Sequence, residues 1–157
     1  MLTNNNIANF HELLKKGQHY EDTAITYIVK LNNVKLFDRC NSYLYDFMTI
    51  GINNNKISYE VKADIRCEQT NNVYIEYLQN DKASGISVSC SDNYIIINNK
   101  FILIIETATI KMLISQNKFI RNVKMCCMNS NNNMQTTMGY LFKLHILIEH
   151  CEHFHLF

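Results

Sequence analysis

The 157 residues contain no proline and no tryptophan, and only 4 are glycine. A chain so poor in both has no Pro- or Gly-rich linker to divide it, so residues 1–157 are expected to form a single domain. An excess of charge of one sign is missing too. Fifteen basic residues stand against 14 acidic ones, a net charge of +1 at pH 7. That balance excludes a general electrostatic sponge for nucleic acid, but not a local basic rim around a site. No apolar run approaches the ~20 residues that cross a bilayer. The longest, Tyr94-Ile95-Ile96-Ile97 and residues 101–105, are of strand length, so no membrane partner is expected. The first ten residues are polar and show no secretory signal, which points to an intracellular home, cytoplasmic or nuclear and not secreted. Cys40, Cys67, Cys90, Cys126, Cys127 and Cys151 include no C-x-x-C pair, which leaves a zinc ribbon or thioredoxin motif without support. In a reducing compartment they are expected to remain thiols.

Asparagine fills the polar gap with 22 copies, and isoleucine is nearly as common. Asn, Ile, Lys and Tyr in place of Pro, Gly and Ala are what an AT-rich genome encodes, so a viral or parasite origin is expected. A domain of this length can bury roughly 70% of the surface its unfolded chain exposes, so it needs no disulfide or structural zinc.

The periodicities predict an α/β domain. Residues 4–31 read as a helix that Gly17 interrupts or kinks, with Tyr20, Ala24, Ile25 and Ile28 as its apolar stripe and Glu21 off that stripe. Strands are expected at residues 34–37, 43–50, 56–66, 73–78, 94–97, 101–105 and 118–128. Residues 107–116 read as a later helix, and residues 140–148 as a strand or helix. Gly51-Ile52-Asn53-Asn54-Asn55 is a hairpin turn, since Gly and Asn tolerate positive φ.

Residues 56–66 carry the informative pattern. Side chains alternate across a strand. Ile57, Tyr59, Val61, Ala63 and Ile65 make one face, which is a core face. Ser58, Glu60, Lys62, Asp64 and Arg66 make the other, which must point at water or at a site. If the turn centres on Asn53, Asp46 lies opposite Glu60. Two opposed carboxylates sit about 5 Å apart at Cβ and repel, so one holds a proton with a raised pKa or a cation joins them. Lys62 compensates in part. Hard oxygen ligands with open water positions suit Mg²⁺ or Mn²⁺.

Asp46, then fourteen residues, then Glu60-x-Lys62 across a hairpin resembles the active-site pattern of the PD-(D/E)XK nuclease superfamily. Glu60-Val61-Lys62-Ala63-Asp64 is similar to the strand of its small phage, bacterial and viral members. Tyr74-Ile75-Glu76-Tyr77, Ser84-Gly85-Ile86 and Ser91-Asp92-Asn93-Tyr94 resemble the companion blocks of one such group. Gly17-Gln18-His19-Tyr20-Glu21 resembles its G-x-x-x-E helix, and the likeness covers about residues 12 to 115. The resemblance implies a restriction-endonuclease-like core, with a central mixed sheet flanked by the N-terminal helix and a later helix. It implies a metal-dependent endonuclease acting on DNA, in which Asp46, Glu60 and Lys62 are catalytic and Asp46, Glu60 and Glu21 hold Mg²⁺ or Mn²⁺. Lys62 would orient or deprotonate the attacking water and offset charge in the transition state. Asp64 and Glu76 would support those ligands from behind. Lys15, Lys16, Arg66, Lys82 and Lys100 would supply local contacts to the DNA backbone. Branch-cutting members of the superfamily pair, so a homodimer is within what the resemblance implies.

Other readings stay open. One is a catalytically degenerate nuclease fold that binds nucleic acid or a replication or repair partner, and another is an interaction module with no nucleic-acid role. For Glu60, Lys62 and Asp64 the plain alternative is a solvated strand face with cross-strand ion pairs. Glu21 and Glu76 read equally as surface carboxylates. Asp92 and Ser91 read as a turn or cap, and Tyr43 and Tyr74 as packing rather than platforms for bases. His150, Cys151 and His153 form a loose candidate cluster for zinc or copper.

Overall fold

A 29-residue helix, α1 (Asn4–Asn32), opens the chain. The computed structural model describes residues 4–40, 44–128 and 134–157, with side chains from Lys15 onward except Cys127 and Met128. Tyr20, Ala24, Ile25 and Ile28 are buried on one stripe of α1, as their spacing predicts. The expected break at Gly17 does not occur. Helical glycine costs about 1 kcal/mol relative to alanine, which the packing of the following turns outweighs.

Three antiparallel strands follow: β1 (Lys35–Arg39), β2 (Phe47–Ile50) and β3 (Lys56–Ala63). The predicted strand at 43–50 begins only at Phe47, and Tyr43 lies outside the described residues. A one-turn helix, α2 (Cys67–Thr70), leads to β4 (Asn72–Gln79), the short β5 (Lys82–Ala83) and a 3₁₀ turn (Gly85–Ser87). Next come β6 (Asn93–Ile97), β7 (Phe101–Glu106) and α3 (Thr107–Ser115). β8 (Arg121–Met128), β9 (Met134–Lys143), α4 (Leu144–His150) and β10 (His153–Leu156) complete the chain. The polar stretch between β8 and β9, expected as a loop, lies outside the described residues.

Among the described residues the fold is α/β, with four helices and a mixed six-stranded sheet in the order β1-β2-β3-β6-β7-β10. Only β3 and β6 pair in parallel there. A parallel pair needs a crossover connection, and the intervening chain contributes β4 and β5 to a second, four-stranded sheet, β5-β4-β9-β8. The large sheet is covered on both faces. Tyr59, Val61, Ile95, Ile97, Ile102 and Ile104 pack under α1. Tyr94, Ile96, Leu103 and Ile105 pack with Val73, Ile75 and Phe142 of the small sheet and with α3 and α4. β6 is therefore buried at all five positions, and from Tyr94 onward it reads as an unbroken apolar run. Among the described residues no helix is long and apolar enough to cross a membrane.

Asparagine has a structural use here. Asn33, Asn54, Asn71, Asn80 and Asn117 all have φ between 48° and 59°, as does Gly85 at 48°. Asn tolerates the left-handed region better than other side chains, so it ends helices and turns hairpins where the chain has no glycine.

Candidate active site

The hairpin joins β2 and β3 in the predicted register, with Phe47 opposite Tyr59 and Ile50 opposite Lys56. Gly51 N–H donates to Asn55 O at 2.9 Å to close the turn. Asp46 immediately precedes β2, at the level of Glu60. Its N–H donates to the Tyr59 carbonyl at 2.8 Å, and its Oδ2 accepts the Val61 N–H at 2.6 Å. One oxygen of Asp46 is thus pinned to the strand that carries Glu60 and Lys62.

Glu60 is buried, with 9% of its side chain exposed. Glu60 is therefore not one rung of a solvated ladder of ion pairs, because its carboxylate is almost closed to water. Lys62 Nζ lies 2.6 Å from Glu60 Oε1, and the lysine side chain is 40% exposed. Burial pushes the Glu60 carboxyl above its ordinary value; Lys62 opposes this and Asp46 adds to it. Burial pulls the Lys62 ammonium down, but Tyr94, Glu60 and Asp46 overcome that and hold it above the ordinary lysine range. Lys62 is therefore a firm cation at neutral pH. From α1, half-buried Glu21 is also raised, by burial and then by the charge of Asp46, with Arg39 opposing. The structure thus gathers Asp46, Glu60 and Lys62, with Glu21 close enough to feel Asp46.

Asp64 is placed elsewhere. β3 ends at Ala63, short of the predicted strand end, because Asp64 Oδ1 accepts the Cys67 N–H and its Oδ2 accepts the Tyr74 N–H, each at 3.0 Å. Both oxygens anchor α2 and β4 rather than approaching Glu60. Glu76 Oε1 accepts the Ser84 hydroxyl at 2.8 Å, and its charge reaches Tyr94.

Two features escaped the sequence reading. The first is a clasp between β3 and the approach to β6. Asp92 Oδ2 accepts Ser58 N–H at 2.8 Å and Ser58 Oγ–H at 2.7 Å, while Asp92 N–H donates back to Ser58 Oγ at 2.9 Å. It sets the parallel register that puts Glu60 beside Tyr94. The second is Tyr94 itself, which reads as core because it heads an isoleucine run. A phenol in a strand buried on both faces was the available signal, since a buried Tyr O–H usually needs a partner.

Among the described residues no three His, Cys, Asp or Glu side chains close around a point as a metal cage does. Asp46 and Glu60 with a strand carbonyl are an open donor set instead. Mg²⁺ characteristically takes one or two carboxylates and completes its shell with waters and phosphate, so these residues fit that ion and not a closed structural site. The C-terminal candidates are dispersed. His150 Nδ1 lies 2.9 Å from Ile146 O, Cys151 Sγ donates to Ile148 O, and His153 Nε2 lies 2.6 Å from Tyr27 Oη. Cavities of about 410 Å³ along α1, beside Asp22 and Tyr27, and about 200 Å³ beside Tyr59 and Asn93 both lie away from the carboxylates.

A stability test follows from Glu60. The folded chain holds the Glu60 proton more tightly than the unfolded chain. The stability gained from this is present below the ordinary value of 4.5 and is lost as pH rises through the raised folded value. Glu21 has the same sign. In the metal-free protein, urea unfolding at pH 4.5 and above is expected to show stability falling with pH, and Glu60→Gln should flatten that fall. An unchanged slope in the variant would mean that Glu60 is not strained in its charged form.

Comparisons with family models, with curated proteins and with solved structures returned no match to this chain.

Proposed function

We propose that this protein is a metal-dependent endonuclease that hydrolyses DNA phosphodiester bonds at Asp46, Glu60 and Lys62, on a core of the PD-(D/E)XK kind. The observation that carries this reading is the hairpin register. It sets two carboxylates side by side, buries one of them, and places a lysine ammonium 2.6 Å from it. Such a pair is costly in an apo protein, and a divalent cation between its members would relieve it more fully than Lys62 does. The resemblance of residues 12 to 115 to small nuclease members supports the same assignment.

Asp46 and Glu60 would hold Mg²⁺ or Mn²⁺, with Glu21 reaching it directly or through water. When bound, the cation supplies Lewis-acid charge for a non-bridging phosphate oxygen and lowers the pKa of water. The chain's own contribution is positional. Val61 N–H fixes the rotamer of Asp46. Burial keeps bulk water from Glu60. Lys62, already charged, would direct the attacking water and offset the negative charge that grows on the phosphate oxygens, while the water's proton would pass to bulk solvent. With a net charge of +1, DNA affinity rests on local groups such as Lys82 and Arg66 and should fall steeply with salt.

Calorimetric titration of Mn²⁺ at low salt tests the reading. Binding is expected in the wild type and not in the Asp46→Asn/Glu60→Gln double variant. The titration should be repeated with a cleavage-resistant duplex, whose phosphate can complete the shell. Silence in both titrations would favour the degenerate nuclease fold that binds nucleic acid or a partner.

A further inference from the structure

Tyr94 is fully buried, and its hydroxyl is one of two buried side-chain polar atoms without a hydrogen-bond partner among the described residues. A native structure seldom leaves such a group unpaired. The strand register says where this one points. Tyr94 is the parallel neighbour of Glu60, and it lies on the face of β6 that packs toward the small sheet, the face to which β3 contributes Glu60 and Lys62. Burial raises the phenol, Lys62 opposes that rise, and the charges of Glu60, Glu76 and Asp46 add to it. The orphan hydroxyl thus stands within the carboxylate–lysine cluster.

Lys62 presents the complementary problem. Its ammonium is committed to Glu60 Oε1 at 2.6 Å, and a cation bound by Glu60 would compete for that oxygen. Once displaced, the ammonium needs an acceptor on the same face, or it swings into solvent and loses its aim. A lysine ammonium has three donors and no acceptor, and a phenol oxygen can accept.

We propose that Tyr94 is a positioning residue for Lys62, its hydroxyl being the second seat of the ammonium, taken when Glu60 lets it go. The proposal rests on the nuclease reading, which supplies the event that frees Glu60. The hydroxyl stays unpaired in the resting protein because it is paired in the working one.

The experiment is a double-mutant cycle on Mn²⁺ affinity with Tyr94→Phe, Lys62→Ala and the double variant, together with thermal unfolding without divalent ion. Tyr94→Phe removes an unpaired hydroxyl at nearly constant volume, so its metal-free melting temperature should equal or exceed that of the wild type. Its Mn²⁺ dissociation constant should rise about tenfold, the scale of one lost hydrogen bond. In the Lys62→Ala background the same substitution should change nothing. Three results overturn the proposal: a marked drop in metal-free melting temperature, an unchanged Mn²⁺ affinity, or an equal loss of affinity with and without Lys62. Mn²⁺ binding that needs neither Asp46 nor Glu60 would remove the nuclease reading and this seat together. Intact binding without coupling removes the seat alone.

Discussion

Lys62→Ala is expected to lower the cleavage rate on the order of 10²–10³-fold at saturating divalent cation, the usual cost of removing one preorganised charge or donor aimed at a developing oxyanion. The magnitude follows from the state of the lysine. Glu60 and Asp46 hold Lys62 charged, so it acts as a fixed positive charge, and no smaller side chain can replace it. Lys62→Arg keeps the charge but not the compact shape, and should recover only part of the rate. The fold should survive Lys62→Ala, because the lysine side chain is 40% exposed and Glu60 can take up a proton when the ammonium is gone. The signature in the metal-free variant is a steeper fall of stability with rising pH than in the wild type, since nothing then opposes the burial of Glu60 and the charge of Asp46. Single-turnover cleavage of a labelled duplex and urea unfolding across pH measure the two effects. Wild-type cleavage by Lys62→Ala would take Lys62 out of the site altogether.

The hairpin was legible because both of its determinants are local. Gly51 and the asparagines mark the turn, and period-two alternation sets the register, so the level of Asp46 against Glu60 follows by counting. The helices at residues 4–31 and 107–116 were legible for the same reason. What stayed hidden depends on pairings distant along the chain. Nothing around Ser58 announces that its partner is Asp92, 34 residues away. Nothing in Glu60-Val61-Lys62 says that the fold will bury Glu60, and so the solvated-face alternative stayed open. Asp64 misled for a third reason: its place in the alternation continues the strand, but its two backbone bonds end the strand instead. At residues 140–148 the apolar pattern fits either period, and the chain uses both, leaving β9 for α4 at Leu144.

The second large effect is expected at Gly85. Gly85→Ala should cost about 3 kcal/mol or more, by adding two penalties that do not relieve each other. At φ 48° an L side chain is strained by about 1–2 kcal/mol. Its Cβ would also run into the backbone carbonyl of Glu76, which β4 holds in the ladder with β9 and which has no rotamer to yield. The strain would not stay local. Ser84 bonds Glu76 on one side of the glycine, and Ile86 is buried on the other. Beyond Ile86 a buried relay of hydroxyls, Ser89 to Ser91 to Thr107, leads to the Asp92 clasp that holds Ser58 and hence the strand of Glu60. Moving the 3₁₀ turn off β4 therefore loosens the wall behind the carboxylates. A melting temperature about 10 °C lower than wild type is the expected reading for a domain of this size, with cleavage reduced in whatever fraction stays folded. Gly17→Ala supplies the control of opposite sign: it sits in α1, a Cβ there meets nothing within 4 Å, and alanine should stabilise the helix by up to about 1 kcal/mol. If Gly85→Ala melts with the wild type, the close approach of the turn to β4 is not what holds the Ser84-Gly85-Ile86 segment in place.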